Sequence, residues 1–414
     1  MSVAKPYKLN VSDELLNWID NRVKTARVIP DVIHAPNEEW ADGTPTTVVN
    51  EFVTYWKEKY DWRNVEGRIN NTFKMFTMDI TDADEVISLH FVHHRNERKD
   101  AIPLLFSHGW PGNFLEVEHL LKLTDPEDPQ AQAYHIVAPS IPGFTLSSAP
   151  SKPGFAVARI AVIYHKLMQA LGYSYYVAQG GDWGSLISRS IAIQYPDACI
   201  GCHINFIYTR LPSPLRNPLT TAYLALRWFT PEEKKKLERM QSFLKSGLGY
   251  AQIQQTKPQT VSYGLLDSPI AMLAWIYEKL HDGSEPDYVW EHEAVITWTI
   301  LYLLAGSSWH ARIYKEGAAS LEKDVYSQKV PSKVPFGFSS FPMDVGYVPQ
   351  WWASATVAEN IVLWKDHEKG GHFASCEVPD ALIGDVEEFV RILKEKGSSA
   401  RWDTLLKAGV NGKY

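Results

Sequence analysis

Three short apolar runs, each ending at a glycine-rich turn, constrain the fold of this chain more than any other feature. Runs and turns pair as 102–106 with 109–112, 136–138 with 139–143, and 175–178 with 180–184. Short apolar runs bounded by turns are typical of buried strands, and strands that alternate with helices form mostly parallel sheets. The sequence therefore predicts an α/β fold, with a mostly parallel sheet flanked by helices.

The rest of the chain shows other patterns. It begins with helical and loop-like residues and then two apolar runs that read as paired strands. A long stretch of helical periodicity later interrupts the strands, which return near residues 334–341 and 360–364. A helical block between strands of one sheet is typical of a lid. We predict an N-terminal extension at 1–95, a core in two parts at 96–210 and 328–414, and a helical lid insertion at 211–327.

Charge and cysteine content exclude several classes of protein. The 41 basic and 48 acidic residues are well mixed, with a net charge of −7, so no nucleic-acid partner is expected. No apolar run reaches the length of about eighteen residues that a membrane-spanning helix needs, so no membrane anchor is expected. Three cysteines are too few for a disulfide framework, which favours a reducing compartment and a cytoplasmic protein.

Three further patterns have structural interpretations. Cys199 and Cys202 lie in an apolar run without a second pair, which favours a buried strand over a zinc site. His367 and His372 are one residue too far apart for the H-E-x-x-H pattern, and the glycines between them oppose a helix. We therefore expect no metal and no cofactor. The lysines at 234–236 follow a proline and two glutamates, which predicts the solvated first turns of a helix.

Asp182 stands at the centre of the third glycine-rich turn, between a predicted strand and a predicted helix. The sequence G-x-D-x-G has the form of a nucleophile elbow, although Asp182 could instead simply cap the helix. A carboxylate is ionised at neutral pH and can attack saturated carbon without a base. Suitable substrates carry an epoxide or a halide, and the resulting ester must then be hydrolysed by activated water.

The predicted base is His372, which follows two glycines just after the last strand, with His367 as its rival. The acid that orients the histidine is predicted to be Asp344, on a loop after the preceding strand. Asp366 is the alternative, but it lies very close in sequence to His372. Backbone N–H groups of Trp183 and of Trp110 are the expected oxyanion-hole donors.

A phenol is a suitable proton donor for the oxygen of an opening epoxide, because it stays protonated to a pH of about 10. Helical periodicity does not choose among the tyrosines of the lid, which are Tyr223, Tyr250, Tyr263, Tyr277, Tyr288, Tyr302 and Tyr314.

Across nearly its whole length the chain resembles the microsomal-type epoxide hydrolases of the α/β-hydrolase superfamily, especially their soluble fungal members. The motifs that carry the resemblance are Tyr60-Asp61-Trp62-Arg63, His108-Gly109-Trp110-Pro111-Gly112, Ala138-Pro139-Ser140-Ile141-Pro142-Gly143, Gly180-Gly181-Asp182-Trp183-Gly184-Ser185, Asp267-Ser268-Pro269-Ile270, Leu273-Ala274-Trp275-Ile276 and Gly370-Gly371-His372-Phe373-Ala374.

The resemblance implies an α/β-hydrolase fold, with an epoxide and water as substrates. We expect a role in detoxification, with biosynthesis as the alternative. The resemblance also implies Asp182 as nucleophile, His372 as base and Asp344 as its partner, and it selects Tyr250 and Tyr314 as the ring-opening donors. We expect two departures from the family: no N-terminal anchor helix like that of membrane-bound relatives, and Asp344 at a position where some relatives use Glu.

Two alternative functions remain open on sequence alone, and a third is disfavoured. A haloalkane dehalogenase would share the nucleophile Asp182, and a catalytically silent member of the superfamily would bind epoxides without opening them. An esterase is disfavoured, because Ser185 lies one turn into the helix rather than at the elbow. The N-terminal extension either wraps the core and lid or mediates a homodimer.

Overall fold

The computed structural model describes residues 3–36 and 38–396. Its centre is a nine-stranded sheet in the order β1-β2-β3-β5-β4-β6-β7-β8-β9. The strands are β1 (Lys5–Tyr7), β2 (Met75–Asp82), β3 (Glu85–His94), β4 (Ile102–Ser107), β5 (Tyr134–Pro139), β6 (Tyr176–Gly180), β7 (Cys199–Ile204), β8 (Phe336–Ser340) and β9 (Ile361–Asp366). The first three strands and the contact between β3 and β5 are antiparallel, and all later pairings are parallel.

The helices are α1 (Asp13–Lys24), α2 (Thr46–Glu58), α3 (Trp62–Thr72), α4 (Val157–Ala170), α5 (Asp182–Gln194), α6 (Pro218–Ala225), α7 (Pro231–Ser246), α8 (Gly249–Thr256), α9 (Pro258–Asp267), α10 (Pro269–Gly283), α11 (His292–Ala305), α12 (Trp309–Leu321), α13 (Gln350–Thr356), α14 (Ala374–Glu377) and α15 (Pro379–Lys396). A 3-10 helix covers Phe114–Leu123, and a π-helical turn covers Glu322–Tyr326.

The central parallel strands are buried on both faces. Every residue of β4, β5, β6, β7 and β8 is buried, which explains why β4, β5 and β6 correspond to the apolar runs 102–106, 136–138 and 175–178 rather than to an alternating pattern. Cys199 and Cys202 lie in β7 as buried free thiols, as predicted. The predicted mostly parallel sheet flanked by helices is confirmed, and the carboxyl ends of its strands form the edge at which the site lies.

Helices α6 to α12 lie between β7 and β8, where helical periodicity interrupts the strands. The expectation of solvated lysines at 234–236 holds for Lys234 and Lys235, which are exposed, and was wrong for the third. Helix α7 begins as predicted, with Thr230 as its cap, but Lys236 is not solvated. Its ammonium donates a 2.7 Å hydrogen bond to Ser340 Oγ and pairs with Asp366, at the ends of β8 and β9. A lysine near a helix start can point inwards where the ends of strands supply hydrogen-bond acceptors. Sequence periodicity gives no information about such acceptors, because they come from distant parts of the chain.

The N-terminal extension packs on the helices of the 211–327 segment. Tyr60 Oη lies 3.0 Å from Thr297 Oγ1, and Arg22 pairs with Asp267 at 2.6 Å. The extension also supplies the edge strand β1 and helix α3, which the sequence did not reveal. The predicted division into extension, two core parts and lid stays a prediction, and residues 397–414 of its last part lie outside the described residues.

Candidate active site

Asp182 lies at the tight turn that joins β6 to α5. Its φ of 46° falls in the left-handed region, which residues other than glycine rarely adopt. A Cβ on Gly184 would lie 1.9 Å from the carbonyl oxygen of Ser107, so only glycine lets α5 approach β4 this closely. The cap of α5 is Gly181, and the alternative that Asp182 merely caps the helix is therefore wrong. The carboxylate is held at the sheet edge in a strained conformation.

The two carboxylate oxygens of Asp182 have different neighbours. Oδ1 accepts a 2.7 Å hydrogen bond from the backbone N–H of Trp110, in the turn after β4. Oδ2 lies 3.3 Å from Nε2 of His372. An oxygen that already accepts from a backbone N–H is well placed to carry negative charge in a tetrahedral intermediate. The backbone N–H of Trp183 stays the predicted second donor.

His372 lies between two carboxylates. Its Nδ1 is 2.8 Å from Oδ1 of Asp344, and its backbone N–H donates to the carbonyl oxygen of Gly283 in α10. Burial by itself would lower the pKa of His372, but the negative charges and hydrogen bonds of Asp344 and Asp182 outweigh burial and raise it well above its ordinary value. The histidine is thus oriented from one side and faces Asp182 from the other.

The rival histidine and the rival acid lie elsewhere. His367 is paired with Asp385 of α15, which also accepts a 2.5 Å hydrogen bond from Ser339. Burial alone would raise the pKa of Asp385, but these hydrogen bonds and one from Lys365 lower it to about 2. Asp366 is paired with Lys236, as described above. Both groups therefore take part in contacts that hold helices to the sheet.

Tyr250 of α8 and Tyr314 of α12 face each other near Asp182. Their phenol oxygens are 3.5 Å apart. The Trp110 indole stacks on the Tyr250 ring at 4.9 Å between centroids and meets the Tyr314 ring edge-on at 5.6 Å. Burial, supported by the Asp182 charge, raises the pKa of both phenols, so they remain protonated donors at neutral pH.

A cavity of about 450 Å³ brings these groups together. Its lining includes Asp182, His372, Tyr250 and Tyr314, and most of the remaining wall is apolar or aromatic: Trp110, Pro111, Trp183, Leu186, Phe206, Phe243, Leu244, Leu248, Ala251, Leu321, Val345 and Phe373. The other five candidate tyrosines do not line it. The cavity is of the size and character of a site for a small apolar molecule.

Comparison with known proteins identifies the family. Residues 4–117 match the family model "Epoxide hydrolase N terminus", and residues 102–234 match "alpha/beta hydrolase fold". A putative epoxide hydrolase of Stigmatella aurantiaca is 35% identical, over 94% of this chain and 86% of that protein. The chain belongs to the epoxide hydrolase family.

Further relatives of this epoxide hydrolase agree with that result. Epoxide hydrolase 1 of Sus scrofa is 30% identical over 95% of this chain and 89% of its own length. The solved structure of Aspergillus niger epoxide hydrolase has a TM-score of 0.81 and 32% identity, covering 94% of this chain and 96% of that one. Juvenile hormone epoxide hydrolase of Bombyx mori has a TM-score of 0.85 and 29% identity, covering 95% and 96%. The fold is the α/β-hydrolase fold.

Within residues 3–36 and 38–396, no helix of this epoxide hydrolase is long and apolar enough to cross a membrane. The same residues contain no group of three or more His, Cys, Asp or Glu side chains that could hold a metal ion.

Several residues at the site of this epoxide hydrolase were missed by sequence reasoning. Tyr208 and Tyr326 line the cavity, and so does the buried Lys279, whose ammonium lies 4.7 Å from the Tyr250 ring centre. Glu116 lies near Asp182, where burial raises its pKa to about 7. The only sequence signal for Glu116 was a capping pattern with Asn113, which indicates a helix start and not an active site.

Proposed function

We propose that this epoxide hydrolase converts epoxides to vicinal diols in two covalent steps, with Asp182 as the nucleophile. One observation carries the proposal. The carboxylate of Asp182 has one oxygen on the Trp110 N–H and the other 3.3 Å from His372, in a cavity that two protonated phenols also line. A nucleophile, a base and acids are therefore available to one small molecule.

In the first step, an oxygen of Asp182 attacks an epoxide carbon. The new carbon–oxygen ester bond forms as the ring carbon–oxygen bond breaks, and the released oxygen takes a proton from Tyr250 or Tyr314. An epoxide oxygen at a usual hydrogen-bond length of about 2.7 Å from both phenols fits, because the phenol oxygens are only 3.5 Å apart. A neutral donor at each position suits this step, since an alkoxide is a poor leaving group without a proton.

In the second step, His372 takes a proton from water, and the hydroxide attacks the ester carbonyl carbon of Asp182. The carbonyl oxygen gains negative charge as the tetrahedral intermediate forms, and backbone N–H groups of Trp110 and Trp183 stabilise it. Collapse breaks the bond between the carbonyl carbon and the diol oxygen, which receives the proton from His372. Asp182 is left as a carboxylic acid, and its proton replaces the one that the phenol gave up in the first step, so the enzyme returns to its starting state. Asp344 keeps the imidazole oriented throughout. One water is consumed and no other reactant is needed.

The substrate proposed from the apolar wall of the 450 Å³ cavity is an apolar, aryl- or alkyl-substituted epoxide. Detoxification of such compounds is the biological role that we propose. A cytoplasmic location is supported by the three free thiols, which are typical of a reducing compartment. The homodimer suggested by the N-terminal extension stays a prediction.

A single turnover in water labelled with heavy oxygen, with enzyme in excess over styrene oxide, tests the covalent mechanism. The water oxygen enters Asp182, so we expect the label in the peptide that contains this residue and unlabelled diol. Asp182→Asn, which lacks the nucleophile, is the control. Label in the diol at the first turnover would contradict the covalent mechanism. Release of halide from haloalkanes, with styrene oxide left intact, would instead favour a dehalogenase. Tight binding of styrene oxide without turnover would favour a silent binding protein.

A further inference from the structure

A second, much smaller cavity adjoins Asp182 within the core. Its volume is about 20 Å³. Like the large cavity it is lined by Asp182 and His372, but its remaining wall includes Glu116, Asn205 and Ser375, which the large cavity does not reach. A buried site needs roughly 10–15 Å³ and two to four polar partners to hold one water molecule. This cavity satisfies both conditions.

Glu116 presents the one carboxylate of this cavity besides the nucleophile. Its Oε1 accepts a 3.1 Å hydrogen bond from the Asn113 backbone N–H, and its Oε2 accepts a 3.2 Å hydrogen bond from Ser375 Oγ. A Cβ on Gly112 would lie 1.8 Å from Oε1, so the chain keeps glycine where the carboxyl group comes closest. The carboxyl group is thus fixed by two separate segments, the turn at Gly112 and Asn113 and the short helix that carries Ser375.

A helix cap alone does not account for this glutamate. Capping boxes normally lie at the protein surface, where an amide serves as well as an acid because only one accepting oxygen is needed. Glu116 is instead 9% exposed. Burial raises its pKa to about 7, Asp182 also raises it, and His372 lowers it. Burying a carboxyl group is costly, and an ionisable group retained beside a nucleophile and a base indicates a role there.

We infer that Glu116 positions the hydrolytic water of the second step, in the small cavity between its carboxyl group, His372 and Asp182. The inference rests on the two-step mechanism proposed above. Water has two hydrogens, and Nε2 of His372 accepts only one of them. Glu116 accepts the other as a hydrogen bond, which turns the water lone pair towards the ester carbonyl of Asp182. Glu116 takes no proton in the reaction, because the proton goes to His372.

The inference is tested with Glu116→Gln, which keeps an accepting oxygen for the Asn113 N–H but removes the negative charge. Rapid mixing with styrene oxide, read by quenched-flow peptide mass, separates ester formation from ester hydrolysis. We expect ester formation within about twofold of the wild type and hydrolysis slowed by 10- to 100-fold. The ester then accumulates, so kcat and KM fall together. In the wild type, hydrolysis depends on two ionisations, Glu116 and His372; in the variant it depends on one.

The matched control is Glu66→Gln. Glu66 is also buried, at 7% exposure, and also accepts a backbone N–H, from Val11, but it does not line either cavity. Both rate constants of this variant should equal those of the wild type. Ser375→Ala removes the hydrogen bond to Oε2 and should slow hydrolysis alone by several-fold. That variant decides the matter if Glu116→Gln does not fold.

The outcomes separate the two proposals. If the wild type forms no ester, the covalent mechanism itself is wrong. If the wild type forms the ester and both Glu116→Gln and Ser375→Ala hydrolyse it at the wild-type rate with an unchanged pH profile, the mechanism stands and Glu116 is only a helix cap. If Glu66→Gln slows hydrolysis as much as Glu116→Gln, the effect is general to buried glutamates and the inference is overturned.

Discussion

The two phenols over Asp182 allow a quantitative prediction about ring opening. Tyr250→Phe and Tyr314→Phe each remove one hydroxyl group and leave the ring that packs against Trp110. Each variant should therefore keep the shape of the cavity and lose only one donor to the epoxide oxygen. Because the two phenol oxygens are 3.5 Å apart and converge on one position, the remaining phenol still reaches that oxygen.

The size of the effect follows from the charge that develops on the oxygen. A hydrogen bond to a charged group contributes about 1.5–3 kcal/mol, which corresponds to about 10- to 150-fold in rate. We expect that loss in ester formation for each single variant. The double variant has no acid at all, so its loss should exceed the product of the two single losses. Burial keeps both phenols protonated, so the effects should not vary between pH 6 and 9.

The assay is stopped-flow tryptophan fluorescence, since Trp110 and Trp183 line the cavity and should report ester formation. Tyr326→Phe is the matched control, because Tyr326 lines the same cavity but has not been assigned a role in ring opening. Its ester formation should remain within about twofold of the wild type. The reasoning fails if Tyr250→Phe and Tyr314→Phe behave like Tyr326→Phe, or if their loss lies in ester hydrolysis.

Three further predictions concern charge. Asp182→Asn should abolish ester formation and reduce activity by at least about 10⁴-fold. Because Asn is neutral, the pKa of His372 measured by NMR should be lower in this variant than in the wild type. An unchanged pKa would contradict the contact between Asp182 and His372. Lys279→Met should slow ester formation by about 3- to 30-fold without affecting ester hydrolysis. The reason is that the Lys279 ammonium beside Tyr250 favours the phenolate left by proton transfer. Equal slowing of both steps would argue against this role of Lys279. Asp385→Asn should lower the free energy of unfolding by about 2 kcal/mol at neutral pH. The pKa of Asp385 is about 2 in the folded protein and near 4 in the unfolded chain, so the ionised carboxylate stabilises the fold above pH 4 and this contribution is lost as the pH falls from 4 to 2. In urea titrations, the stabilities of variant and wild type should converge near pH 2.

The elements that sequence predicted well are those whose environment is uniform. Strands β4 and β6 are buried along their whole length, so an apolar run ending in glycine is sufficient to place them. Strand β1 has only three residues and a partly exposed pattern, and it exists because β2 offers it an antiparallel partner. No local property of Lys5–Tyr7 encodes that partner. Short edge strands of this kind are determined by tertiary contacts rather than by periodicity.

The site shows the same division. The turn around Asp182 was recognisable from sequence, because the close approach of α5 to β4 leaves room only for glycine at position 184, and this glycine is part of the G-x-D-x-G motif. Sequence order favoured Asp344 over Asp366 as the partner of His372, but which of the two loops reaches the imidazole depends on tertiary structure, where Asp344 lies 2.8 Å from Nδ1. Glu116 was hidden, because a buried carboxyl group and a surface helix cap have the same local sequence pattern.

The contacts of His372 also connect the two proposed steps. In the free enzyme, Asp182 and Asp344 together raise the pKa of His372, which favours the protonated imidazole over the neutral form that acts as a base. Formation of the ester removes the charge of Asp182, and with it one of the two carboxylates that raise this pKa. The imidazolium then loses its proton more readily, and the phenolate left by ring opening requires one proton. In the proposed mechanism, attack by Asp182 therefore both creates the ester and releases the base that hydrolyses it, so His372 would need no separate activation between the steps.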